Sequence, residues 1–192
     1  MRARRYEYLV DILKVTKPES ILEIGVAMGR SALLMLNTTG PNVKYIGYDV
    51  FDFSDKEFHK MVSNGKNVAG IEEIRAKLEP VCNDVELIKG TTQETLHGRS
   101  VYADFVFLDG DHRVEAIRDD FEAVMDAPVV VFDDFYDGDF KGIDINEFGC
   151  NKIVEDLDVI LTPPTKESAV LKFAVWVQDP ELREQVRRAI ER

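Results

Sequence analysis

Two short apolar runs end abruptly in carboxylates, and that pattern restricts what this chain can fold into. Residues 105–108 read F-V-F-L and stop at Asp109, Gly110, Asp111 and His112. Residues 129–132 read V-V-V-F and stop at Asp133 and Asp134. Apolar runs of about 4–8 residues bounded by polar or turn residues fit buried strands of a parallel sheet. The carboxyl ends of such strands open onto the ligand crevice. Two neighbouring strands of this kind bring Asp109, Asp111, Asp133 and Asp134 to one edge of one crevice. That many carboxylates repel one another unless protons or a cation hold them.

The rest of the chain alternates strand and helix around these runs. Tyr6, Leu9, Ile12 and Leu13 recur at helical spacing, which predicts a short amphipathic helix over 4–15, with 1–19 preceding the first strand. Strands are expected at 21–25, 43–50, 85–89, 103–108, 128–132, 159–161 and 169–177. Helices are expected at 32–36 with Ser31 as cap, at 71–78, from Gly90-Thr91-Thr92 to Leu96, at 113–125, at 150–157, and after Asp179 with Pro180 in the first position. Repeated strand–helix alternation implies an α/β doubly wound sheet in a single domain, 1–192. The connection 163–168 is too short for a parallel crossover, so the last two strands should form an antiparallel hairpin.

Composition excludes several classes. The net charge of −12 disfavours a nucleic-acid backbone as partner, because phosphate contacts need a basic face. No apolar run approaches the roughly 18 residues of a membrane span. No apolar segment follows the basic N-terminus, so no signal peptide is expected. Cys82 and Cys150 form no CxxC pair, and a reduced, cytoplasmic setting is expected with both thiols as fillers. The arginines at 2, 4, 5 and at 183–192 read as solvated helix ends.

A small-residue turn, Gly25-Val26-Ala27-Met28-Gly29, follows the first strand and precedes a helix. Such a turn lets a ligand approach the backbone and a helix N-terminus closely. Its GxAxG spacing lacks the third glycine of a dinucleotide fingerprint. Asp49 ends the second strand, where a carboxylate can accept both hydroxyls of a ribose or serve as a turn aspartate. Glu23 lies within the first strand; a carboxylate there is costly to bury, so it is expected to face the crevice and meet loop amides or a ligand ammonium.

These features together resemble the class I S-adenosylmethionine-dependent methyltransferases. I-L-E-I-G-V-A-M-G-R-S-A-L is similar to their first motif, I-G-Y-D-V to their second, and I-K-G-T-T-Q-E-T-L to the segment that passes the adenine. The resemblance implies a Rossmann-like seven-stranded sheet of order 3-2-1-4-5-7-6 with strand 7 antiparallel and helices on both faces. It also implies that Glu23, Gly25, Ala27 and Gly29 hold the methionine end of the cofactor, with Asp109 close by, that Asp49 holds the ribose, and that Thr91 and Thr92 pass the adenine. Thr91 stands where the family often has an acidic or amide residue. F-V-F-L-D-G-D-H-R-V-E-A-I-R-D-D and V-V-V-F-D-D-F resemble the metal-dependent small-molecule O-methyltransferases, in particular the macrocin-type and cephalosporin-hydroxylase-like group. That likeness implies Asp109, Asp133 and Asp134 as ligands of a divalent cation, Mg²⁺ by the hardness of their oxygens, with Asp111 as general base.

The implied reaction is metal-assisted O-methylation of a small hydroxylated acceptor, sugar- or catechol-like. A cation lowers the pKa of the acceptor hydroxyl, and Asp111 or His112 takes its proton. Other readings stay open. Asp109 and Asp111 also suit the start of the helix that follows, Asp133 and Asp134 a solvated loop, and His112 a first-turn helix residue. Transfer without metal, an NAD-dependent oxidoreductase and a non-catalytic binding module are the competing functions. Mg²⁺ titration, protection by NAD and the count of crevice acids separate them. The acceptor pocket is expected from the candidate lid segments 51–70 and 135–149, rich in Phe51, Phe53, Phe58, Phe135, Tyr136, Phe140 and Phe148, or from another subunit.

Overall fold

The computed structural model describes residues 4–51 and 69–192. Seven strands make one sheet: β1 Ser20–Ile24, β2 Lys44–Asp49, β3 Asp84–Lys89, β4 Phe105–Leu108, β5 Val129–Tyr136, β6 Val159–Leu161 and β7 Leu171–Val177. Their spatial order is β3-β2-β1-β4-β5-β7-β6. The first five pair in parallel, and β7 runs antiparallel between β5 and β6. The order, the antiparallel β7 and the β6–β7 hairpin match the sequence-based expectation.

Strand alternation sends side chains to two separate cores. Ile21, Tyr45, Phe105, Phe107, Val131 and Phe173 face one side. That side is covered by α1 Glu7–Thr16, α2 Arg30–Thr39, α3 Ile71–Leu78 and α7 Pro180–Ile190. Leu22, Ile46, Val106, Val130 and Phe132 face the other, under α5 Val114–Val124 and α6 Asn151–Val154. A fully buried Leu, Val or Phe side chain contributes roughly 1.5–3 kcal/mol, so the central strands and α1 anchor the molecule. α1 is part of that anchor: Tyr8, Leu9, Ile12 and Leu13 are all buried.

Several boundaries differ for physical reasons. α2 begins at Arg30 and runs to Thr39, and its N-cap is Gly29, not Ser31. The Ser31 hydroxyl donates instead to the Glu23 carboxylate. α4 Thr92–Thr95 is capped by Thr91, whose hydroxyl and the Glu94 side chain close a reciprocal capping box. Asp179 caps α7 as expected, accepting from the Leu182 amide at 2.6 Å.

The expected end of β5 at Phe132 also moves. The strand continues through Tyr136, and its pairing with β7 shifts between Phe132 and Phe135. Asp133 and Asp134 sit in that irregularity, with Asp134 in the left-handed region at φ 54°. Such an irregularity re-aims side chains, and here it turns two carboxylates toward the strand ends.

The candidate lid 135–149 therefore starts inside the sheet. The remainder folds back on the start of α5: Phe148 bridges to Arg113, the Gly149 amide donates to the His112 carbonyl, and Phe140 stacks on Tyr136 at 5.5 Å. The other candidate lid, 51–70, lies outside the described residues except for Phe51, Ala69 and Gly70. Among the described residues, no helix is long and apolar enough to cross a membrane.

Candidate active site

The crevice lies where β1 and β4 end side by side. Gly25 turns out of β1 at φ +92°, and a Cβ placed on it meets the Asp109 carbonyl oxygen at 2.0 Å. Backbone touches backbone there, so only glycine fits. The Gly25 amide donates to the Tyr48 carbonyl at 2.9 Å and the Asp109 amide to Ile24 at 2.8 Å. The turn is thus tied to both flanking strands. Ala27 at φ 48° and Gly29 at φ 72° complete it and deliver the chain into α2.

Asp49 stands at the end of β2 and closes this turn. Its Oδ2 accepts from the Ala27 amide at 2.7 Å, and its Oδ1 accepts from the Phe51 amide at 3.2 Å. A carboxylate offers about four lone-pair sites. Two are used by these amides, so each oxygen keeps acceptor capacity. The carboxylate is half-buried and held rigid on both sides, as a group that grips a diol must be.

A cavity of about 790 Å³ opens beside the turn, lined by Arg4, Tyr6, Gly25, Ala27, Ser31 and Asp109, among others. That size suits a cofactor-sized ligand. Of the sequence-predicted residues, Gly25, Ala27 and Asp109 line it, and Asp49 accepts from the Ala27 amide behind it.

Glu23 does not face the crevice, which corrects the expectation for it. Strand alternation aims it at α2, fully buried, where Ser31 and Tyr45 both donate hydroxyls to its oxygens. Burial pushes its carboxyl up to about 7, against those two hydrogen bonds. Its place is to join β1, β2 and α2 beneath the turn. Thr91 is likewise committed, its hydroxyl and amide both donating to Glu94. Thr92 pairs with Asp120, a buried aspartate on α5 whose carboxyl burial pushes up to about 7. Both threonine hydroxyls spend their donor protons within the protein and could meet an adenine amine only as acceptors.

The acids at the strand ends gather as expected, but with unforeseen company. Tyr6 donates its hydroxyl to Asp109 Oδ2 at 2.7 Å and lies 3.2 Å from Asp133 Oδ2. The Arg5 guanidinium bridges Asp133 Oδ2 at 2.8 Å and Asp134 Oδ1 at 3.1 Å. Asp134 Oδ2 meets the Tyr136 hydroxyl at 3.2 Å and His112 Nδ1 at 3.2 Å. Burial opposes the charge on Asp133, yet Arg5, Asp109, His112 and the Asp134 amide hold its carboxyl below the ordinary range. Burial and the neighbouring Asp133 raise Asp134. Arg5 had read as a solvated helix end; its side chain is 13% exposed, so that reading is corrected.

Asp111 is drawn away from this cluster. Its carboxylate accepts from the Arg113 amide at 3.0 Å and from the Arg113 guanidinium, Nε at 2.9 Å among the contacts. Burial opposes its ionisation, but the Arg113 contacts prevail and hold the carboxyl below the ordinary range. A carboxylate so stabilised is a poor proton acceptor. His112 is half-buried, with its Nδ1 held 3.2 Å from Asp134 Oδ2.

Arg5 and Tyr6 were not legible as site residues, and Tyr136 was expected only as part of the candidate lid. Arg5 lies 128 positions from Asp133, and no local pattern encodes a contact at that separation. The signal that was present is the acid cluster itself, which called for a positive partner.

Comparison with known proteins bears on the family and the fold. A family model described as a methyltransferase domain matches residues 22–135. No curated protein matches the chain. Among solved structures, a Klebsiella pneumoniae protein superposes with TM-score 0.62 at 16% identity, over 93% of this chain and 82% of that one. The O-methyltransferase TomG of Streptomyces achromogenes, involved in tomaymycin synthesis and solved with S-adenosylmethionine, superposes with TM-score 0.60 at 19% identity, over 91% and 79%. An O-methyltransferase of Bacillus cereus solved with S-adenosylhomocysteine gives TM-score 0.61 at 15% identity, over 90% and 80%.

Proposed function

From a chain that belongs to the methyltransferase-domain family, we propose S-adenosylmethionine-dependent methylation of an oxygen on a small hydroxylated acceptor, sugar- or catechol-like. One observation carries the cofactor assignment: the Asp49 carboxylate, fixed by the Ala27 and Phe51 amides, keeps acceptor capacity beside a glycine turn that presses on Asp109. A ribose diol is the ligand such a carboxylate takes. The likeness to structures holding S-adenosylmethionine or S-adenosylhomocysteine supports the same choice.

When bound, the cofactor supplies an electrophilic methyl on a sulfonium. The chain's own residues do the rest. Gly25, Ala27 and Gly29 give backbone access, and Asp49 fixes the ribose. His112, oriented through Nδ1 by Asp134, takes the acceptor's hydroxyl proton as the oxygen–methyl bond forms and the sulfur–methyl bond breaks. Positioning of the acceptor against the methyl group supplies much of the rate.

The resemblance also implies a divalent cation at this cluster. Asp109, Asp133 and Asp134 are hard oxygen donors of the type Mg²⁺ takes. As built, however, Arg5 and Tyr6 lie on the oxygens a cation needs. Among the described residues, no three His, Cys, Asp or Glu side chains are arranged to hold a metal. A divalent cation does not fit beside the guanidinium.

The test is formation of S-adenosylhomocysteine from S-adenosylmethionine across a panel of catechols and sugars, with ring-blocked ethers as controls. Turnover with a free hydroxyl acceptor and none with its ether is the expected result. Methylation of amines or thiols but not of hydroxyls would overturn the oxygen assignment.

A further inference from the structure

We infer that Arg5 is the built-in cation of this site: its guanidinium, seated on Asp133 and Asp134 while Tyr6 hydrogen-bonds Asp109, takes the place of a divalent metal. The inference rests on the proposed methyl transfer only for its activity arm.

Three observations point the same way. The first is the match of shape and charge. A guanidinium is a planar fork whose N–H groups suit two carboxylates at once. Arg5 reaches both Asp133 at 2.8 Å and Asp134 at 3.1 Å. The second is how the arginine is held. Its guanidinium carbon lies 5.5 Å from the centre of the Tyr6 ring and 5.6 Å from that of Phe173. Tyr6 packs edge-on against Phe107 at 6.0 Å and Phe173 at 5.5 Å. A cation between aromatic faces is attracted to both. The third is the anchor. Arg5 lies two residues before α1, whose apolar face is in the core beside Val186 and Ile190. The backbone of Arg5 is thus anchored beside the core and its side chain is largely buried, so the arginine is not a loose arm over the cavity.

The consequence is a division of labour. Arg5 is a positioning residue: it holds Asp134 where His112 needs it and offsets the charge of the acids, tasks a metal otherwise performs. Tyr6 does the same for Asp109 and lines the cavity beside the glycine turn. The acceptor hydroxyl then loses its proton to His112 with no Lewis acid on its oxygen. Acceptors with acidic hydroxyls, phenols before sugars, are favoured accordingly.

Mn²⁺ binding read by electron paramagnetic resonance tests this on the full chain with S-adenosylhomocysteine present. The wild type should leave the free Mn²⁺ signal unchanged at the cluster. Arg5→Ala should gain one bound Mn²⁺, lost again in Arg5→Ala/Asp134→Asn. In parallel, a chelator should change wild-type turnover by less than twofold. Mn²⁺ bound by the wild type and lost in Asp134→Asn overturns the inference, as does turnover abolished by the chelator. Arg5→Ala folding normally but gaining no Mn²⁺ also overturns it. Should Arg5→Ala not fold, Arg5→Gln takes its place, and the wild-type titration decides by itself. Binding of S-adenosylhomocysteine, measured separately, reports on the cofactor assignment and leaves this question untouched.

Discussion

Replacing Gly25 by alanine probes the contact that joins the two halves of the crevice. The new Cβ would lie 2.0 Å from the Asp109 carbonyl oxygen, 2.5 Å from its carbon and 2.8 Å from the Gly110 nitrogen. All three are backbone atoms at the end of β4, so no side chain can swing aside. Relief requires β1 and β4 to separate by more than an ångström. Overpacking of this kind costs about 1–3 kcal/mol, and an L residue at φ +92° adds about 1–2 kcal/mol. The expected loss is about 2–5 kcal/mol. At roughly 2–4 °C per kcal/mol for a chain of this size, the melting temperature should fall by about 4–20 °C. Gly98→Ala is the control: it also has positive φ, at +70°, but open space around it. It should cost only the backbone part, about 1–2 kcal/mol. Calorimetric melting of the two variants separates strain from collision. Equal losses for both would refute the close approach of Gly25 to Asp109.

Three further outcomes follow from the buried groups and the base. Glu23 is raised from 4.5 to about 7 by burial, so the folded state holds its proton more tightly than the unfolded chain. Its stabilising contribution is full below about pH 4.5 and is lost as pH rises toward 7, a swing of about 3 kcal/mol at about 1.4 kcal/mol per pH step. Urea titrations from pH 5 to 8 should show a shallower decline for Glu23→Gln than for wild type; identical slopes would contradict the burial argument. Cys82 and Cys150 are buried free thiols whose pKa burial raises. Neither should react with a thiol reagent in minutes until the chain is unfolded, and rapid native labelling of Cys150 would contradict its placement. Removing the base by His112→Asn should lower kcat about 10²–10⁴-fold, whereas Asp111→Asn should lower it less than about tenfold. The reverse order would return the base to Asp111.

The sheet was legible because its signals are local. Apolar runs ending in acids mark β4 and β5, and the short link before β7 forces a hairpin. Capping by Asp179 needs only three residues of context. The crevice glycines and Asp49 were legible for the same reason: they sit at strand ends that the pattern already marks. Glu23 was misplaced because its cost of burial was weighed without its donors. Ser31 and Tyr45 come from two other elements, and only the folded packing brings their hydroxyls to it. Ser31 was read as a cap on the same incomplete ledger. Asp111 was read beside its neighbours Gly110 and His112, while the Arg113 side chain that captures it was counted only as helix. The largest omission, Arg5, depends on the residues just before α1 reaching Asp109 and Asp133. Charge statistics at a chain terminus carry no record of that.

Calorimetric titration of S-adenosylhomocysteine into the wild type and into Asp49→Asn, with melting temperatures matched, addresses the central claim most directly. The Asn change keeps the side chain's shape but exchanges one acceptor oxygen for a donor. Loss of a hydrogen bond to a charged group is worth about 1.5–3 kcal/mol. The account predicts saturable one-to-one binding by the wild type and affinity at least tenfold weaker for the variant. No binding by the wild type, or equal affinity in both, would contradict it.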